Sequence, residues 1–396
     1  MSNKRQILIV DDEPDIGAFI CDVAINMGFE AIATHQPSAF EQLYSDDFDI
    51  IILDLMMPER DGIELLRFMA SQQASAQIIL ISGYDPGVLH SAQKLASEQG
   101  LNIIQALTKP ILYEDLEALL SSLQFSLDDD NKQASAHSHK PTTQELQRAL
   151  AKGELQAYFQ PKLAINSGKL VGAEALIRWN HPEHGLLAPS VIIPLAKQAG
   201  LMEALTSEVL QQAFQQANEW LKHGLHLKVA INMDACSFKD LALPEWVDAE
   251  IKKYHLHPGQ IIFEVTETTL MQELIKSLDI LTRLRMKDVA LSIDDFGTGY
   301  SSLTQLYQMP FSEMKIDQSF VMHASTDAEA LAIIKMSTLL GHELGMTVVA
   351  EGIETQKTWD MLSDIGCDIA QGYFIAKPMS GKDFSAWALE HNHTSA

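Results

Sequence analysis

Basic residues are scarce in this sequence: 28 Lys and Arg face 53 Asp and Glu, a formal net charge of −25 over 396 residues. A protein that grips nucleic acid needs basic surface to displace counterions from phosphates, so direct nucleic-acid binding is not expected. A small anionic substrate remains open if local cations receive it, and carboxylates that hold divalent metal supply such cations. Cysteine is scarcer still. Cys21, Cys236 and Cys367 lie far apart and form no CxxC pair, which argues against a zinc site and against a disulfide framework. They read as small buried residues in a reducing compartment. Long apolar runs are also missing: no stretch approaches the roughly 18 residues that cross a bilayer. The opening MSNKRQILIVDD, a strand-length apolar run ending on acids, does not read as a signal peptide. The expectation is a cytoplasmic protein without membrane insertion. What is present, 46% hydrophobic and 20% charged residues, is globular rather than disordered composition. The length suits two well-buried domains.

Between residues 6 and 125, short apolar runs alternate with longer amphipathic ones. QILIVDD, EAIATH, DIIILDL, QIILISG and NIIQALTK read as strands, and helices are expected to begin near Pro14, Pro37, Gly62, Pro86 and Leu112. Continuous Ile/Leu/Val runs suit strands buried on both faces, and β–α alternation implies parallel pairing with right-handed crossovers. The fold class is α/β, with a doubly wound (βα)5 domain over residues 1–125. Residues 126–141 are polar, short in side chain and close to proline, as in an interdomain linker; His137 and His139 there read as solvated. Alternation resumes over 142–390, the usual size of a (β/α)8 barrel, and 391–396 reads as a tail. Its eight strand-like runs are LQAYFQPK, LVGAEALIRW, LKVAINM, QIIFEVTE, VALSIDDF, EMKID, TVVAEGIE and CDIAQGY.

In the first domain the chemistry gathers where strands end. Asp11 and Asp12 close the first run, Asp54 the third, Ser82 the fourth and Lys109 the fifth. Ligands of open parallel sheets bind outside these carboxyl ends. Three carboxylates together repel one another unless a divalent cation neutralises them. A lysine and a hydroxyl beside them suit a transferred phosphoryl group, with Asp54 as its nucleophile. Capping residues explain any one of these positions, but poorly explain five on ordered strand ends. With VDDEP, LDLMMPERDG, ISG and LTKP, residues 5 to about 125 resemble the receiver domain of two-component response regulators. The resemblance implies phosphorylation of Asp54, magnesium on Asp11, Asp12 and Asp54, Ser82 as switch hydroxyl and Lys109 as phosphoryl partner. It also implies a sensor histidine kinase or phosphotransfer protein as donor. Ala106 stands where that family usually has an aromatic residue.

In the second domain Glu174, Asn232, Glu264, Asp294, Asp295, Lys315, Glu351 and Gln371 lie at or near the ends of the strand-like runs. In a barrel such positions meet at the mouth, where active sites of this fold sit. Burying so many polar groups without partners costs several kcal/mol each, so stability alone is a poor explanation. Oxygen ligands without Cys or His select magnesium or manganese over zinc. The adjacent Asp294 and Asp295 suit a two-ion site, one carboxylate bridging while its neighbour binds the second ion. Lys315 is placed to orient a water or join in proton transfer.

These residues sit in YFQPK, GAEALIRWNHP, INM, FEVTET, IDDFGTGYSSL, MKID, VVAEGIET and AQGYFIAKPM. Over about 145–385 the chain resembles the EAL-domain cyclic di-GMP phosphodiesterases. The resemblance implies hydrolysis of cyclic di-GMP to linear pGpG. Glu174, Asn232, Glu264 and Asp294 would hold the first ion, and Asp294 and Asp295 the second, with help from Glu351. Lys315 would attend the water, with Glu351 and Gln371 in support. Gln160 and Arg178 would touch substrate, Arg178 on a phosphate. Glu267 would anchor the loop after the two aspartates, hinged at Gly297 and Gly299. His181 and His184 read as loop residues rather than ligands. A homodimer or higher oligomer is implied by resemblance only. Two other classes stay open: a cyclic di-GMP-binding sensor, against which the complete ligand set argues, and a phosphorylation-dependent interaction scaffold.

Overall fold

The computed structural model describes residues 5–45, 47–83, 86–117, 119–121, 123, 141–266, 274–297, 306 and 308–394. The chain divides into two compact units, Met1–His139 and Lys140–Ala396. In the first, β1 (Gln6–Val10), β2 (Glu30–Thr34), β3 (Ile50–Asp54), β4 (Gln77–Ser82) and β5 (Asn102–Thr108) form one parallel sheet in the order β2-β1-β3-β4-β5. Side-chain alternation sorts each central strand onto two faces. Leu8, Val10, Ile51, Leu53 and Leu80 pack with α3 (Gly62–Ser71; α1 is Pro14–Asn26 and α2 Phe40–Leu43) through Leu65 and Leu66. Ile7, Ile9, Ile50, Ile52 and Ile81 pack with Ile20 and Val23 of α1 and with Leu116 and Leu120. Two cores on one sheet make the domain doubly wound, as the alternation predicts. The strand order reverses between β1 and β3, and Asp11 and Asp54 lie at that switch point. The expectation of burial on both faces holds for β3 but not for β2 and β5. These are the sheet edges, and EAIAT and NIIQALT are correspondingly less apolar.

The second unit opens with α5 (Thr143–Lys152); α4 is Pro86–Glu98, and residues 113–117 of the first unit are helical as well. A capping box starts it: Thr142 Oγ1 accepts from the Glu145 N–H, and the Glu145 carboxylate accepts from the Thr142 N–H. Then come β6 (Leu155–Ala164), β7 (Leu170–His181), the short β8 (Gly185–Leu187), β9 (Lys228–Met233), β10 (Ile261–Thr266), β11 (Ala290–Phe296), β12 (Glu313–Ile316), β13 (Thr347–Ala350), β14 (Ile369–Ala370) and the short β15 (Met379–Ser380). Pairing runs from β7 through β9 to β14, and β6 closes the ring by pairing with both β14 and β7. The result is a closed eight-stranded barrel, with helices among the described residues in the connections from β8 to β11 and from β12 to β14.

One strand departs from an all-parallel (β/α)8 barrel. β6 runs antiparallel to both neighbours, because the link to β7 is a tight turn in which the Gly168 N–H donates to Ala164 O. A turn that short cannot make a parallel crossover. The other seven strands are parallel, so their carboxyl ends still gather at one mouth. No described helix is long and apolar enough to cross a membrane.

Candidate functional sites

At the carboxyl end of the first sheet, Asp11, Asp12 and Asp54 offer carboxylate oxygens that all lie within 4.8 Å of one another. Lys109 Nζ donates to Asp54 Oδ2 at 2.6 Å, to Asp11 Oδ1 at 3.2 Å and to Glu13 Oε1 at 2.9 Å. Burial disfavours the Lys109 charge, but hydrogen bonds to Asp54, Glu13 and Asp11 outweigh it and raise its pKa. Burial pushes the Asp11 carboxyl up. Ser82 is buried at the end of β4, and its carbonyl accepts from the Lys109 N–H. Asp11, Asp12, Asp54 and Lys109, singled out from sequence, therefore converge, Ser82 ends the strand beside Lys109, and Glu13, which the sequence reading passed over, joins them. Ala106 is half-buried against the core on the α3 face, opposite Leu80 in register.

The barrel mouth opens into a cleft of about 370 Å³ whose lining includes Gln160, Glu174, Arg178, Asp294, Lys315, Glu351 and Gln371. Lys315 is at its centre. Its Nζ lies 2.7 Å from Glu351 Oε1, 2.9 Å from Asp294 Oδ1, 3.0 Å from Glu264 Oε2 and 3.9 Å from Glu174 Oε1. Glu174 is also held by amides: Asn232 Nδ2 donates to its Oε1 at 2.7 Å and Gln371 Nε2 to its Oε2 at 2.6 Å. Gln371 Nε2 donates to Gln160 Oε1 as well, at 3.1 Å, and Gln160 Nε2 to Ala376 O at 3.2 Å. Glu174 sits in the middle of β7, not at its end, because β7 continues past the mouth; that continuation carries Arg178 above the cleft. Arg178 Nη1 donates to Ile177 O, and its guanidinium carbon lies 6.0 Å from the Tyr158 ring centre.

Two adjacent aspartates in a regular strand point to opposite faces. Here the β11–β12 register shifts between Ile293 and Phe296, and Asp295 takes a left-handed backbone with φ +55°. Such a bulge re-aims a side chain. It lets Asp294, Asp295 and Glu351 each bring a carboxylate oxygen to within 4.8 Å of the other two. Glu351 and Gln371 depend on close backbone approaches: a Cβ on Gly372 would fall 2.1 Å from Ile353 O in the Glu351 loop, and one on Gly352 would fall 2.6 Å from Gln318 Cβ at the start of the helix after β12. Only glycine fits there.

The electrostatics are those of a site short of positive charge. Burial pushes the Glu174 and Glu351 carboxyls up, and Lys315 only partly offsets it. Asp295 is pushed up to about 6 by burial and then by Asp294 and Asp317. Glu264 is the exception: burial pushes it up, yet Lys162 and Lys315 outweigh that and hold it at about 2. Lys315 keeps its proton against burial because four carboxylates surround it. An all-oxygen set with excess negative charge fits a hard divalent cation such as magnesium or manganese.

Sequence reading missed three members. Lys162 and Glu313 are buried in the barrel interior, and Asp317, which follows β12, interacts with Asp295. Each was signalled by a charge inside a quoted run: Lys162 in YFQPK, and Glu313 and Asp317 in EMKID. His181, expected in a loop, is instead the buried last residue of β7, because β7 runs on past the mouth; its Nδ1 accepts from the N–H groups of Glu183 and His184, and of the two histidines only His184 lies in the turn. Gly297 has φ +99°. Glu267 and Gly299 lie outside the described residues, as do His137 and His139.

The family model of the EAL domain matches residues 143–378, and that of the response regulator receiver domain matches residues 7–121. Cyclic di-GMP phosphodiesterase RocR of Pseudomonas aeruginosa is 35% identical over 336 residues, covering 85% of this chain and 86% of RocR. The bifunctional diguanylate cyclase/cyclic di-GMP phosphodiesterase MucR of the same organism is 37% identical over 254 residues, 64% of this chain but 37% of MucR. The solved PaMucR phosphodiesterase in complex with c-di-GMP is similar with a TM-score of 0.59 and 38% identity, over 61% of this chain and 98% of that chain.

Proposed function

Since the chain belongs to the EAL domain family and carries a response regulator receiver domain, we propose that it is a metal-dependent phosphodiesterase that hydrolyses cyclic di-GMP to linear pGpG under control of Asp54 phosphorylation. The boundaries proposed are 1–125 for the receiver, 126–141 for the linker, 142–390 for the catalytic barrel and 391–396 for the tail. A sensor histidine kinase or phosphotransfer protein would load Asp54, with magnesium on Asp11, Asp12 and Asp54, and the protein would act in the cytoplasm as a dimer or higher oligomer.

The observation that carries the reading is the convergence of Glu174, Glu264, Asp294 and Glu351 on Lys315, each within 3.9 Å of its Nζ. Glu174, Asn232, Glu264 and Asp294 would hold one magnesium or manganese ion, and Asp294, Asp295 and Glu351 a second. When bound, the ions would supply Lewis-acid charge at the phosphate and acidify a water. Hydrolysis adds that water across one P–O3′ bond, leaving a 5′-phosphate and a 3′-hydroxyl. Arg178 supplies a cation at the rim for a phosphate, while Gln160 and Gln371 present amides to the substrate. Lys315 is held as ammonium, so it can donate a hydrogen bond to the attacking oxygen but cannot take its proton. Glu351, 2.7 Å from Lys315 Nζ, would support Lys315 at that oxygen together with Gln371. The test is purified protein with cyclic di-GMP and magnesium, before and after treatment with a small-molecule phosphodonor. Linear pGpG with a rate that responds to the donor is the expected result. Binding without turnover would favour a sensor instead.

A further inference from the structure

Below the mouth lies a second buried lysine that the hydrolytic scheme leaves unused. Lys162 on β6 is 2% exposed. Its Nζ donates to Glu264 Oε1 at 2.7 Å and lies 3.6 Å from Glu313 Oε1. Glu264, Ser292 and Glu313 are register partners on β10, β11 and β12. Asp294 and Lys315 stand two residues further along the same strands, so Lys162 and its partners form a layer directly beneath them. Barrels of this class usually fill such layers with branched apolar side chains. A charged layer is costly unless well paired, and this one is paired sparingly: Glu313 Oε1 has no hydrogen-bond partner among the described residues.

We propose that Lys162 is a positioning residue, which fixes the Glu264 carboxylate from below and thereby sets the divalent-metal affinity of the barrel mouth, with Glu313 holding Lys162 in place. The inference rests on the reading of Glu264 as a metal ligand. Lys162 occupies one carboxylate oxygen, which leaves Oε2 turned toward Lys315 and the mouth. Lys315 is unsuited to the same task. It is shared among four carboxylates, and a cation arriving on Asp294 and Glu351 repels it from Glu264. Lys162 lies on the far oxygen and can stay. Partners that orient metal ligands typically carry about 10–100-fold in metal affinity.

The test is a manganese titration followed by electron paramagnetic resonance, on the full chain without nucleotide, in an Asp11→Asn/Asp12→Asn background that removes the receiver site. Lys162→Met should weaken manganese binding by about 10–100-fold. Lys162→Met/Glu313→Gln removes the partner charge as well; it should unfold at a higher temperature than Lys162→Met yet keep the same affinity loss. Unchanged affinity in Lys162→Met would overturn the proposal. So would wild-type affinity in the double variant, which would leave Lys162 only the task of neutralising Glu313. If Lys162→Met does not fold, the double variant decides by the same criterion. Failure of the background protein itself to bind manganese would overturn the metal reading, and the inference with it.

Discussion

At the carboxyl end of the receiver sheet one lysine, its side chain 13% exposed, meets Asp11, Glu13 and Asp54. At the barrel mouth one lysine, 2% exposed, meets Glu174, Glu264, Asp294 and Glu351, and Lys162 supports one of these from beneath. Both sites place acids and a lysine where parallel strands end, and both suit a divalent ion and a phosphoryl centre. Depth separates them. Among the described residues the receiver's acids share one reachable cation, as would suit the proposed exchange of a phosphoryl group with other molecules. The barrel encloses its charges, so each attraction acts through less water and each carboxylate is more firmly held.

The sharpest way to break this comparison is to remove one acid from each site. Glu174→Ala or Asp294→Asn should lower the hydrolysis rate by about 10²–10³-fold or more at saturating magnesium, whereas Asp54→Asn should leave the basal rate alone. Near-wild-type turnover in either barrel variant would sink the assignment. Exchanging the ion comes next. Calcium takes ligands at about 2.3–2.6 Å and magnesium at about 2.0–2.1 Å, so calcium should bind in the barrel without supporting measurable turnover; equal rates in the two ions would contradict this.

Phosphorylation of Asp54 is the proposed link between the two sites. It should change the hydrolysis rate by about five- to 150-fold, the usual range of coupling between sites, and the response should vanish in Asp54→Asn. Rates measured with and without a phosphodonor, with the modification confirmed by mass, decide it. The smallest effect concerns stability. Asp295, Glu174, Glu351 and Asp11 all have carboxyl pKa values raised above the ordinary carboxylate range. A raised acid stabilises the fold below its unfolded pKa, and that contribution is lost as pH rises through the folded value. Metal-free protein should therefore unfold at a lower temperature as pH rises from about 4, where the unfolded carboxylates begin to ionise, and the Asp295 share of that loss should be complete above about 6. Magnesium should reverse the trend. Calorimetry showing a midpoint that rises with pH in the absence of metal would contradict the assignment.

Much of this was legible in the sequence because apolar runs and the acids that end them are local signals. IIILD reads as a buried strand closing on Asp54, and QIILIS as another closing on Ser82. The direction of β6 was not legible, since LQAYFQPKLA has the same pattern read either way and only the INSGK turn sets its sense. Lys162 escaped notice because a lysine in an apolar strand usually extends to solvent; that it meets Glu313 depends on closure of the barrel. Asp317 was passed over, and its side chain caps the following turn by accepting from the Ser319 N–H. Its second contact, with Asp295, is a matter of tertiary placement.

The left-handed residue at 295 makes the mouth sensitive to how many residues β11 contains as well as to which they are. Deleting Asp295 would return the strand to plain alternation and carry the ring of Phe296 into the position the second carboxylate now fills. Replacing it with asparagine would keep the backbone, because asparagine tolerates the same φ, and would remove only the charge. The two variants therefore separate spelling from spacing: one changes a letter in the site, the other shifts every letter after it by one place.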